Sequence, residues 1–143
     1  MAHEAFMEKF KKTFLAQDSD INGFIELLDP NCEWVLEASE ETFRGYEKIK
    51  EFAERSKAAR THTSEVQMVP TTFFATESYF VIEYMHNAIT TEKWTTSTNQ
   101  PPKGLTLHIP ICIIAHFKGE RLDWIHEYFD LLTARGAGQK LYS

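Results

Sequence analysis

An α+β domain is what this chain predicts: three helices packed on a strongly curved, mainly antiparallel sheet that encloses a pocket. Three observations carry the prediction. Apolar residues recur at helical spacing through the first sixty or so positions. After His62 the period changes to alternation. Long alternating runs then follow one another with no helical stretch between them. Helices segregated from strands along the chain give layers rather than a parallel α/β sheet. Long twisted strands curl, and helices closing such a cone leave a hollow suited to a small ligand.

The elements follow in order. Phe6, Phe10 and Phe14 recur every four residues with Met7 beside them, one stripe of a helix over roughly 3 to 17. Asp18, Ser19 and Asp20 offer caps for a second helix, whose inner face is Ile21, Phe24, Ile25 and Leu28. Asp29-Pro30 stops it. Cys32 to Glu37 alternates weakly and predicts a short strand, and Ala38 to Thr42 a polar turn. Gly45 precedes a third helix near 46–59, with Ile49, Phe52, Ala53 and Ser56 on its inner side. Strands are expected near 63–74, 78–91, 104–117 and 120–131. Thr91 to Lys103, rich in Thr, Ser, Asn and Pro, predicts a mobile loop, and Lys118-Gly119 the turn of the last hairpin. The tail 134–143 has little to pack.

Composition bounds the function. The chain has 143 residues, 43% hydrophobic and 13% aromatic with eleven Phe, enough for one domain with a true core. Its net charge of −6 and lack of a basic run argue against nucleic acid as a partner. The longest apolar run, Ile109 to Ala115, is too short to span a bilayer, and the N-terminus has no signal-peptide core. Two cysteines, Cys32 and Cys112, make neither a disulfide framework nor a zinc site, so a reduced cytoplasmic setting is expected. No phosphate loop or nucleophile elbow appears, and the histidines lack metal-ligand spacing, so neither cofactor nor metal is expected.

The segment Phe43-Arg44-Gly45-Tyr46, Lys103-Gly104, and Lys118-Gly119 followed by His126-Glu127-Tyr128-Phe129-Asp130 resemble SnoaL-like proteins. These form the polyketide-cyclase and ketosteroid isomerase-like branch of the nuclear transport factor 2-like superfamily. The ending is also similar to the Arg-Glu-Phe-x-Asn ending of the phenazine-biosynthesis A/B proteins, with His126 in place of Arg and Asp130 in place of Asn. The resemblance covers about residues 5 to 135 and implies a single domain. It implies acid–base work on a buried small molecule: isomerisation, aldol cyclisation, dehydration or epoxide opening. The acting acid of the phenazine-type ending falls on Glu127, and cyclase-type endings use a nearby Asp.

The residues argue for the same acid independently. On the last strand Asp123, Ile125, Glu127 and Phe129 share one face, and Trp124, His126, Tyr128 and Asp130 the other. Its partner strand gathers Leu107, Ile109, Ile111, Ile113 and Phe117. A three-residue loop with Gly119 left-handed puts Glu127 on the Leu/Ile face. A two-residue loop reverses the parity and puts His126, Tyr128 and Asp130 there instead. The sequence leaves both open. A carboxyl among apolar side chains has its pKa raised toward the range useful to a general acid or base. Catalytic candidates are therefore Glu127, Asp130 and His108, which lies roughly opposite Asp130 or Phe129 across the hairpin. Ligand-binding candidates are Trp34, His62, Tyr84, His86 and Phe129, and Arg44 is a possible carboxylate clamp.

Three functions fit. One is a cofactor-independent enzyme acting on an apolar carbonyl-containing or polycyclic molecule. Another is a binding module for such a molecule. The third, compatible with both, is a homodimer formed through the open sheet face carrying Trp124, His126, Tyr128 and His108.

Overall fold

A computed structural model describes residues 3–16, 19–91, 104 and 106–130. Its elements are α1 (Glu4–Thr13), α2 (Ile21–Ile25), β1 (Leu28–Leu36), β2 (Glu41–Arg44) and α3 (Gly45–Ala59). A 3₁₀ turn (Arg60–His62) leads into β3 (Thr63–Ala75), β4 (Tyr79–Thr90), β5 (Thr106–Lys118) and β6 (Arg121–Phe129). Most of the expected loop from Thr91 to Lys103 and all of the tail lie outside the described residues.

The helical stripe forms as its spacing demands. Phe6, Met7, Phe10 and Thr13 are the buried face of α1. Phe6 and Phe10 meet Phe80 of β4 edge-on, with ring centroids 5.1 and 4.8 Å apart. The short α2 starts at Asp20, whose carboxylate accepts from Gly23 N at 3.0 Å. Space is tight at Gly23: an added Cβ would sit 2.4 Å from Asp20 Oδ2 and 2.9 Å from Thr13 Cγ2, so the capping side chain would have to shift.

Two local expectations are corrected. Leu28 is a strand residue, and β1 begins there rather than at Cys32. Asp29-Pro30 lies inside the strand because the ladder is broken at that point. Leu28 pairs with Leu122, and the next pair is Glu33 with Trp124, so Pro30 has no ladder bond to lose. The polar turn is residues 37–40, closed by Glu40 at φ 57°, and the chain returns as β2 against β1.

One six-stranded sheet results, in the order β2-β1-β6-β5-β4-β3. Every pairing is antiparallel except β1 with β6, which is parallel. The helices cover the inner face, where Trp34, Ile49, Phe80, Ile82, Ile113, Leu122 and Ile125 form the core.

The β5–β6 hairpin resolves the parity question by a route outside both alternatives. Lys118 pairs with Arg121, so the turn has two residues, Gly119 and Glu120, with Gly119 left-handed at φ 65°. That turn alone would aim Glu127 outward. Phe117 then pairs with Leu122 and His116 with Trp124, leaving Asp123 as an extra residue in β6. This bulge restores the parity and turns Ile125, Glu127 and Phe129 inward. Asp123 itself bonds His116 Nδ1 at 2.7 Å, away from the inner-face apolar residues with which it was grouped.

Candidate active site

Between the sheet and the helices lies a cavity of about 270 Å³. Phe14 and Phe24 come from the N-terminal helical segment, Phe52, Ala53 and Ser56 from α3, and Trp34 and Leu36 from β1. Tyr84 and His86 come from β4, Ile109 and Ile111 from β5, and Glu127 and Phe129 from β6. The wall is aromatic because the curved sheet points its core-facing residues here. Trp34 is edge-on to Phe24 and Phe52 at 5.6 and 5.5 Å. Its indole Nε1 is sealed from water and has no hydrogen-bond acceptor among the described residues.

Glu127 is the acid of this cavity. Its main chain is fixed in register, pairing with Leu36 on one side and Ile113 on the other, and its carbonyl accepts from Glu37 N at 3.0 Å. Only 8% of the residue is exposed. Burial among apolar groups disfavours the charged form and pushes its pKa up to about 7. Among the described residues no side chain hydrogen-bonds its carboxyl to hold it ionised.

Two neutral hydrogen-bonding groups share the space. Burial, and after it the negative charge of Glu127, raises the Tyr84 pKa well above the usual phenol value, so its hydroxyl remains a donor. Burial and the positive charge of Arg60 lower the His86 pKa, favouring neutral imidazole. Arg60 also lines the cavity. Its Nη2 donates to Ser19 Oγ at 2.7 Å, which ties the end of α3 to the cap of α2.

Of the residues singled out from sequence, Trp34, Tyr84, His86, Glu127 and Phe129 meet in this cavity. Asp130 is exposed just past β6 and His108 faces the opposite side of the sheet, so neither lines it. The anticipated His108–Asp130 pairing does not form. β5 pairs with β6 only as far as Ile111–Phe129, and His108 Nδ1 is instead 2.7 Å from Asn87 Oδ1. His62 closes the 3₁₀ turn, where its carbonyl accepts from Thr91 N and Oγ1, and it too is outside the lining. Arg44 pairs with Glu33 at 3.3 Å on the surface. Sequence reasoning missed Arg60, Phe14 and Met68. Arg60 lies just beyond the third helix expected from sequence, and only the turn after α3 carries it to the cavity.

No family model matches the chain, nor does any curated protein sequence. Solved structures do resemble it. IdmH, a candidate polyketide cyclase from Streptomyces antibioticus, superposes with a TM-score of 0.72 at 11% identity, covering 97% of this chain and 99% of its own. A candidate SnoaL-like polyketide cyclase from Jannaschia sp. CCS1 gives 0.71 at 14% identity, covering 94% and 90%. A Catenulispora acidiphila protein with a ketosteroid isomerase-like fold, in complex with trimethylamine, gives 0.66 at 15% identity, covering 91% and 88%. At these identities the likeness speaks to architecture, and the chain therefore has the nuclear transport factor 2-like fold shared by ketosteroid isomerase-like and SnoaL-like proteins.

Proposed function

We propose that the chain is a cofactor-independent acid–base enzyme of the SnoaL-like type, acting on an apolar carbonyl-containing or polycyclic molecule held in the cavity. The observation that carries this reading is Glu127, a buried carboxyl on an aromatic wall with a pKa near 7. A group poised there exchanges protons readily in both directions. Its carboxylate takes a proton from the carbon beside a substrate carbonyl, leaving an enolate and a neutral Glu127. Returning the proton to a different carbon isomerises the substrate. Attack of the enolate carbon on a second carbonyl instead closes a ring, and the alkoxide so formed takes the proton back from Glu127. Tyr84 donates a hydrogen bond to the developing oxyanion, at low reorganisation cost in a water-poor site.

The test needs no knowledge of the natural substrate. An enolisable bicyclic ketone such as 2-tetralone is incubated with the protein in heavy water, and loss of its α-proton signals is followed by NMR. The parent protein is expected to accelerate exchange, and Glu127→Gln to reduce that acceleration by about 10²-fold or more. Exchange by Glu127→Gln at the parent rate rules the assignment out. A protein that binds the ketone but never accelerates exchange is a binding module, the reading favoured by the wholly apolar character of most of the wall.

We further propose that two copies pair through the outer sheet face. Tyr79, Ile114 and Tyr128 stand exposed there, and Trp124 stacks on His116 with the His126 ring tilted against it. Cys32 and Cys112 are both free thiols, which suits a reducing, cytoplasmic setting.

A further inference from the structure

One polar group of the cavity has no part in the proton transfer. His86 lies on the inner face of β4 two residues beyond Tyr84, so their Cα atoms are about 7 Å apart and both side chains rise from the sheet into the same hollow. Ile82, Ile113 and Glu127 pair in one line across β4, β5 and β6. Strand spacing and rise then put the Glu127 Cα about 12 Å from that of Tyr84 and about 16 Å from that of His86. Acid, phenol and imidazole thus follow one another along the cavity. The other polar side chains of the wall are engaged or exposed. The Thr13 hydroxyl donates to Lys9 O at 2.8 Å, Ser19 Oγ accepts from Arg60 Nη2 at 2.7 Å, and Ser56 is exposed. Tyr84 and His86 differ: neither side chain has a hydrogen-bond partner among the described residues. Among those residues Trp34 Nε1 is the one partnerless side-chain polar atom sealed off by packing, so the Tyr84 hydroxyl and the His86 nitrogens open on the cavity itself.

Burial, and after it the charge of Arg60, favours the neutral imidazole, in which one nitrogen donates and the other accepts. No protein group fixes the tautomer, so the ring can meet a hydroxyl in either sense. A ligand whose only oxygen is the carbonyl at Tyr84 would strip water from His86 and leave it unpaired, at a desolvation cost with nothing to offset it. A hydroxyl at that end removes the cost. We infer that His86 is a specificity-determining residue: the cavity selects an apolar ketone that also carries a hydroxyl, the two oxygens on one edge of the molecule. The carbonyl oxygen lies at Tyr84, the hydroxyl at His86 and the enolisable carbon toward Glu127. This inference rests on the acid–base reading of the cavity and adds the second anchor that decides which ketone is held.

Three ring ketones test it by calorimetry: 2-tetralone, 7-hydroxy-2-tetralone and 7-methyl-2-tetralone. In the second the two oxygens lie on one edge at a span close to the Tyr84–His86 spacing. In the third a methyl group of similar size replaces the hydroxyl. The parent is expected to bind the hydroxyl compound about fivefold or more tighter than the methyl compound. His86→Leu should abolish that preference, and His86→Gln, whose amide both donates and accepts, should keep part of it. Circular dichroism checks that each variant is folded. Should His86→Leu fail to fold, nitrogen NMR of the parent decides: the hydroxyl compound should lock one tautomer and shift the His86 ring nitrogens, and the methyl compound should not. Equal binding of the hydroxyl and methyl compounds by the parent, a preference that survives in folded His86→Leu, or His86 nitrogens that respond alike to both compounds overturns the inference. The proton-exchange assignment then still stands, because it is read on 2-tetralone, which lacks the hydroxyl. Failure of all three ketones to bind overturns the inference and the ligand-site reading together.

Discussion

At the scale of single residues, one buried carboxyl sets both the proposed chemistry and a stability signature. Glu127 has a folded pKa of about 7 against 4.5 for the free side chain, so between those values the folded state holds a proton that the unfolded chain has released. Stability contributed by this group is therefore present in acid and lost as pH rises from about 4.5 to about 7, by roughly 3 kcal/mol at most. His86 acts oppositely: its lowered pKa costs stability as pH falls below the ordinary histidine value. Glu127→Gln should flatten the first slope alone. In urea titrations at about pH 8 the variant should be more stable than the parent, and at about pH 4 the two should coincide. An unchanged difference across that range would mean the carboxyl is hydrated. A core residue gives the contrast. Phe10 is almost fully buried against Phe80 and Phe24, and Phe10→Ala should cost about 3–5 kcal/mol in the same titrations at any pH.

At the scale of elements, the last hairpin shows why the acid was only half legible. Alternation in β5 identified its inner face from Leu107 to Phe117 correctly, because period-two burial is written directly into side-chain type. Whether Glu127 joined that face depended on a count of residues around a turn, which hydrophobicity does not encode. The two-residue turn and the bulge at Asp123 each reverse parity, and together they cancel. Deleting Asp123 should therefore force Trp124 or Glu127 onto the wrong face and abolish cooperative thermal unfolding. Gly119 is a milder case: nothing lies within 4 Å of an added Cβ, so Gly119→Ala should cost only its left-handed conformation, about 1 kcal/mol. β2 escaped notice for a related reason. Four residues after a polar turn carry too little periodicity to register, and pairing with β1 alone makes them a strand. Arg60 was illegible because its path to the cavity is a change of direction after α3.

At the scale of the whole molecule, the division into helices first and strands second was plain in the sequence, and so was a hollow between them, since both follow from periodicity and layer packing. The strand order was not, because a parallel neighbour from the other end of the chain leaves no local trace. The outer face makes its own prediction. With Tyr128 43% exposed on the same strand face as Trp124, sedimentation at tens of micromolar should show a dimer, and Tyr128→Lys should shift it toward monomer. A parent that sediments as a monomer would discard that surface as an interface. The insertion of β6 between β1 and β5 has a further consequence. It is the last described strand to be synthesised, yet it alone joins the β1–β2 ribbon to the β3–β5 meander. On the ribosome the nascent polypeptide must hold two sheet fragments apart, each with a bare edge, until residues 121–129 emerge. Completion of the sheet and delivery of the buried Glu127 carboxyl are one and the same event.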